Sequence, residues 1–123
     1  MFNIKKFNEI NDFLKKTSNS TKIVAVSKNH PTESILEAIN QGVYIFGENR
    51  VQEAQEKFQI IKQNNPKIEL HLTGPLQSNK VKAALSLFDV FHTLDREKIA
   101  KEFSKHTDLL KYKKIFLQIN TGK

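Results

Sequence analysis

Five short apolar runs, beginning near residues 22, 43, 68, 89 and 115, recur every 21 to 26 residues, and a helix-patterned stretch fills each gap. That alternation is the strongest constraint on the fold. Strand and helix units of this period are joined by crossovers rather than hairpins, so they build a parallel sheet with right-handed connections. The first run, Ile23-Val24-Ala25-Val26, lacks polar alternation and fits a strand at 22–27 that is covered on both faces. It ends in Ser27 and Lys28. The carboxyl ends of strands in α/β folds carry the ligand-binding loops, so Lys28 stands where a functional group is expected.

Periodicity and punctuation locate the other elements. Ile4, Phe7, Ile10, Phe13 and Leu14 predict an amphipathic helix at 3–16 that packs outside the sheet, followed by a Ser/Thr/Asn loop at 17–21. Pro31 and Thr32 open a helix whose buried stripe is Ile35, Leu36, Ala38 and Ile39 and whose stop is Gly42. Val43 to Phe46 reads as the second strand, with Gly47-Glu48-Asn49 as its loop. A helix at 51–63 carries Ala54, Phe58 and Ile61 and ends before Pro66. The third strand spans 68–73, Gly74-Pro75 breaks it, and Ser78 is expected to cap a helix bearing Val81, Ala84, Leu85 and Phe88. The fourth strand spans 89–94, Asp95 is expected to cap the helix bearing Ile99, Ala100 and Phe103, and the fifth strand spans 114–120.

Two architectures share this alternation, an open doubly wound sheet and a (β/α)8 TIM-type barrel. Nucleotide-binding open sheets carry a glycine-rich first loop, and Ser27-Lys28-Asn29-His30-Pro31 has no glycine, which favours the barrel. A complete barrel takes about 250 residues. The 123 residues here, with strands ending at the fifth, are therefore read as a single partial barrel domain over 1–123. Unpaired edges at the first and fifth strands would favour self-association.

Composition removes several function classes. There is no cysteine, which excludes disulfides and thiolate chemistry. His30, His71, His92 and His106 have no metal-ligand spacing. The net charge of +7 would suit acidic or phosphorylated partners, but the lysines are scattered and only Arg50 and Arg96 are arginines, which argues against nucleic acid. No leader-like apolar segment follows Met1 and no run has the length of a membrane span, so a soluble cytoplasmic protein is the expectation.

Lys28 is the sharpest chemical candidate. A lysine amine in water has a pKa of ~10.4 and becomes a nucleophile only through burial or nearby positive charge. The bland alternative is a solvated loop lysine. Other polar groups at strand ends are Glu48, Asn49, His71, Thr73 and Asp95, with Gln118 and Asn120 on one face of the fifth strand. Gly74-Pro75-Leu76-Gln77-Ser78-Asn79-Lys80-Val81 imitates a phosphate-binding P-loop but has Asn79 in place of the second glycine and Val81 in place of Ser/Thr.

Together, Val24-Ala25-Val26-Ser27-Lys28, Phe46-Gly47-Glu48-Asn49 with Val51-Gln52-Glu53-Ala54, His71 through Lys80, His92-Thr93-Leu94-Asp95 and Gln118-Ile119-Asn120 resemble the pyridoxal phosphate homeostasis protein family. The resemblance spans residues 22 to 123. It implies a barrel like the N-terminal domain of alanine racemases, with pyridoxal 5′-phosphate held as a Schiff base on Lys28 and with Asn49, His71 and Asn120 as further cofactor-binding residues. It also implies binding or delivery of the cofactor without robust catalysis, since racemisation or decarboxylation needs a placed acid/base partner as well. The family's phosphate-binding loops belong to the last barrel strands, so the resemblance implies the N-terminal half of a longer protein that holds the cofactor weakly by itself. The rival classes are a fragment of a PLP-dependent racemase or decarboxylase and a basic nucleic-acid-binding module.

Overall fold

The computed structural model describes residues 1–17 and 20–122. The chain runs α1 (Ile4–Thr17), β1 (Ala25–Val26), α2 (Thr32–Asn40), β2 (Ile45–Glu48), α3 (Val51–Asn64) and β3 (Glu69–Leu72). A 3-10 turn at Ser78–Lys80 then leads to α4 (Val81–Leu87), β4 (Val90–Leu94), α5 (Glu97–Ser104), α6 (Thr107–Leu110) and β5 (Lys114–Leu117). All strand pairs are parallel, and the sheet order is β1-β2-β3-β4-β5. A doubly wound sheet reverses its strand order where the second half begins, whereas strands laid down consecutively form an arc of a barrel. The expected partial barrel is what the chain builds.

Register decides which residues share a face. Val26 pairs with Gly47, Gly47 with His71, and His71 with Val90. Because successive side chains alternate, the neighbouring row of Phe46, Leu70 and Phe91 points the other way. That second row meets the helices. Phe46 lies 5.6 Å from Phe58 of α3, and Phe91 meets Phe103 of α5 edge-on at 5.4 Å. Leu70, Leu72, Ala84, Leu85, Phe88 and Ile99 complete this fully buried layer. The core therefore sits between the sheet and α2–α5, and the opposite face of the sheet is the inner face of the arc.

Several boundaries differ from the sequence reading, each for a local reason. β1 is two residues rather than six, because only Ala25 and Val26 find partners on β2. β2 begins and ends two residues later than expected and includes Gly47 and Glu48, which pair with His71 and Leu72. β5 ends at Leu117 rather than Asn120. α1 has no buried residue: Phe7, with Phe2 before the helix, packs partly on the core while Phe13 remains 64% exposed. Leu36 and Ala100, expected in buried stripes, are exposed. Neither expected cap forms. Ser78 lies within the 3-10 turn, and Arg96 rather than Asp95 occupies the N-cap of α5, with Asp95 bound instead to the Arg96 guanidinium at 2.9 Å. The short α6 was not anticipated. Gly42 does end α2, with φ +91°, a conformation that glycine adopts without a Cβ clash. The loop expected at 17–21 falls in part on residues 18 and 19, which lie outside the described residues.

Large apolar side chains remain exposed on the two edge strands and beyond, including Val26, Phe116, Leu117 and Ile119. Among the described residues, no helix is long and apolar enough to cross a membrane. The position of the core makes a direct prediction. Phe91→Ala, at a site with no exposure, should lower unfolding stability by about 3–5 kcal/mol in urea titration. Phe13→Ala in the same assay should change it by less than about 0.5 kcal/mol. Equal losses would place the core elsewhere.

Candidate functional site

β1 hands the chain directly to a tight turn over Ser27–His30. The Ser27 N–H extends the ladder by donating to Gly47 O at 2.9 Å, and the His30 N–H closes the turn on Ser27 O at 3.1 Å. Asn29 has φ +63°, a left-handed conformation that asparagine tolerates better than most residues. Lys28 occupies this turn, two residues beyond β1, and is exposed. The burial expected around its amine is not present, because the turn carries it past the last rung of the sheet.

Beneath the turn, on the helix side, lies a charged network. Glu48 is fully buried and binds Ser27 Oγ through Oε2. Lys57 of α3, with its side chain 10% exposed, places its ammonium 2.8 Å from Glu48 Oε2 and 2.9 Å from Glu53 Oε2. The same ammonium donates to Ser27 O at 2.8 Å and to His30 O at 3.2 Å. Glu53 Oε2 also accepts the Asn29 N–H at 2.7 Å. The Lys57 hydrogen bond, then the Asn29 N–H, hold the Glu53 carboxyl below its ordinary pKa.

The inner face is built from small and aromatic groups. A Cβ on Gly47 would meet Val24 Cγ1 at 3.0 Å and both Thr73 Cγ2 and Val26 Cγ2 at 3.8 Å, so glycine lets three strands close together here. A Cβ on Gly74 would stand 2.3 Å from Asn49 O, which shows how tightly the loops after β2 and β3 abut. His71 bridges two partners, with Nε2 2.9 Å from Glu69 Oε2 and Nδ1 2.8 Å from His92 Nε2. The two imidazoles stack at 5.1 Å, and His92 in turn lies 5.1 Å from the Phe116 ring. Burial, then the charge of His71, pushes the His92 pKa below its ordinary 6.5.

The sequence-derived candidates thus have different settings. Lys28 is presented on the turn and Asn49 is half-buried just past β2. His71 is buried within β3 and already engaged. Asn120 lies exposed beyond β5, its Oδ1 accepting the Gly122 N–H at 3.0 Å. No hydrogen bond joins Lys28 to Asn49, His71 or Asn120 among the described residues. Glu48, grouped by sequence with the strand-end ligands, faces the helices instead. Lys57 was missed, and Glu53 and His92 were named, within longer motifs, but given no role. The Glu53–Lys57 spacing of four residues on a helix was visible but has the appearance of an ordinary surface pair.

A consecutive parallel arc that offers an amine at its carboxyl rim has the layout of a partial (β/α) barrel with its site at the customary end. Residues 6–123 match the alanine racemase N-terminal domain family, and the chain belongs to that family. It is 44% identical over 109 residues to the pyridoxal phosphate homeostasis protein of Pasteurella multocida, an alignment covering 86% of this chain and 46% of that protein. The protein of the same name from Vibrio cholerae is 42% identical over 106 residues, covering 84% of this chain and 45% of its own length. PipY of Synechococcus elongatus, solved with PLP bound, superposes with a TM-score of 0.82 at 36% identity over 94% of this chain and 54% of PipY. The chain spans about half the length of the relatives it matches.

The histidine stack yields a pH prediction. Since the fold favours neutral His92, the unfolded chain takes up a proton first as pH falls below about 6.5, and stability falls with pH in that window. His92→Gln should flatten this part of the stability–pH curve, and the His92 ring signals should titrate below 6.5 by NMR. An unchanged slope in His92→Gln would contradict the assignment.

Proposed function

We propose that this chain binds pyridoxal 5′-phosphate covalently through the Lys28 amine and serves the homeostasis of that cofactor rather than turning over a substrate. The observation that carries the proposal is the turn itself: Ser27, Asn29 and His30 are held from below, while the Lys28 side chain remains exposed at the carboxyl rim. The names of the relatives and the PLP bound to PipY support the choice of ligand.

Pyridoxal phosphate supplies an aldehyde, which condenses reversibly with a primary amine and releases water. The residues present suit that end of the molecule. Lys28 offers the amine, and the adjoining inner face offers the Val24, Val26 and Gly47 surface. Asn49 stands at the same rim, held against Gly74, and supplies an amide for a polar ligand group. Asn120 contributes another amide, whose nitrogen carries two donors. His71 has both ring nitrogens engaged and so contributes a stacked polar wall.

The reading of a holding role rests on where the nearby carboxylates point. Glu48 and Glu53, the acids closest to the turn, are committed to Lys57 on the helix side rather than offered as acid/base groups beside Lys28. Nucleic acid is not the partner this surface suits, because 18 of its 20 cationic side chains are lysines scattered along the chain. We read residues 1–123 as one partial cofactor-binding domain.

Treatment with pyridoxal phosphate, reduction with borohydride and peptide mapping should give one dominant labelled peptide, containing Lys28. Lys28→Ala should lose at least about nine-tenths of that label. Label spread over several lysines and unchanged in Lys28→Ala would refute the assignment.

A further inference from the structure

We propose that Lys57, acting with Glu53 and Glu48 from the helix side of the sheet, is the positioning residue that sets where the Lys28 amine stands. This rests on the reading of Lys28 as the attachment amine. One ammonium has three protons, yet Lys57 Nζ has four acceptors within 3.2 Å: Glu48 Oε2, Glu53 Oε2, Ser27 O and His30 O. Two of those acceptors are the carbonyls of the first and last residues of the Lys28 turn. Glu53 holds a third residue of the turn through the Asn29 N–H, and Glu48 binds the Ser27 hydroxyl. Lys28 alone of the four has no hydrogen bond in the network.

A clamp of this form selects one backbone conformer. Asn29 at φ +63° is in a sparsely populated region, which the bond to Glu53 and the closed turn together retain. Released from Lys57 and Glu53, the turn can relax to negative φ at Asn29 and carry the preceding side chain, Lys28, away from the rim. Capture of an aldehyde by Lys28 forms a C=N bond at Nζ, and the aldehyde oxygen leaves as water with both amine hydrogens. Its rate therefore depends on where that nitrogen is held, and misplacement by about 1 Å can cost on the order of a hundredfold.

The test uses the full chain and three variants, Lys57→Met, Lys57→Arg and Glu53→Ala. Lys28 labelling by pyridoxal phosphate and borohydride is timed and peptide-mapped. The Asn29 amide is followed by ¹H–¹⁵N NMR without ligand. Lys57→Met should slow Lys28 labelling about tenfold or more and shift label to other lysines, while Lys57→Arg recovers part of the rate. Glu53→Ala, at a side chain 25% exposed, removes the Asn29 acceptor with little demand on folding. It should move the Asn29 amide signal and slow Lys28 labelling several-fold, and it decides the matter alone if Lys57→Met does not fold. Parent-like rate and selectivity in folded Lys57→Met, or in Glu53→Ala, would overturn the inference and leave Lys28 as the attachment site. A parent chain that does not label Lys28 preferentially would overturn both.

Discussion

A parallel strand sends successive side chains to opposite faces, and everything about this site follows from how that alternation is spent. With β1–β4 in register, Phe46, Leu70, Leu72 and Phe91 are committed to the helices, which leaves Val26, Gly47 and His71 for the inner face. The same rule gives Glu48, two residues beyond Phe46, to the helix side. A carboxylate fully removed from water is costly unless it is paired. Lys57, rising from α3, is the pairing group, and two of its other bonds reach the Lys28 turn. The demand created by one buried acid is thereby linked to the placement of one exposed amine.

The amino-terminal side of the sheet is tied differently. Lys62 of α3 binds Asp89 at 2.7 Å, and Asp89 Oδ2 also accepts the Leu70 N–H at 2.8 Å, so the loop into β4 is fastened to β3. Lys113 donates to Phe88 O at 2.7 Å, with burial lowering its pKa and Asp89 opposing that effect. These bonds hold strand ends and helix ends together and present no free reactive group. α3 therefore serves both rims, through Lys62 at one end and Lys57 nearer the other. The second network surrounds the turn that carries the exposed Lys28.

Much of the fold was legible because it depends on period. The spacing of apolar runs pointed to the strand count and parallel pairing but suited an open sheet and a barrel alike, and the missing glycines after β1 favoured the barrel. Lys28 was legible as a polar residue ending an apolar run. What stayed hidden depends on register and on distant pairing. β1 is short because pairing, not composition, limits it, and β2 is displaced because Gly47 and Glu48 pair with β3. Asp95 and Ser78 have the chemistry of caps, but the chain geometry gives their positions to other residues. Glu53 and Lys57 resemble a routine surface pair until α3 lays them under residues 27–30, and nothing in the separation of His71 and His92 reveals that adjacent strands will stack their rings.

In the reading proposed above, Lys28 is the attachment point and the Lys57 clamp holds its turn while it is occupied. A crystal structure of the chain after treatment with pyridoxal phosphate and borohydride tests both parts at once. Electron density should run continuously from Lys28 Nζ into the ligand, with the Ser27 and His30 carbonyls still converging on Lys57 Nζ. Density continuous with a different lysine, or a turn that has swung away from Lys57, would contradict it.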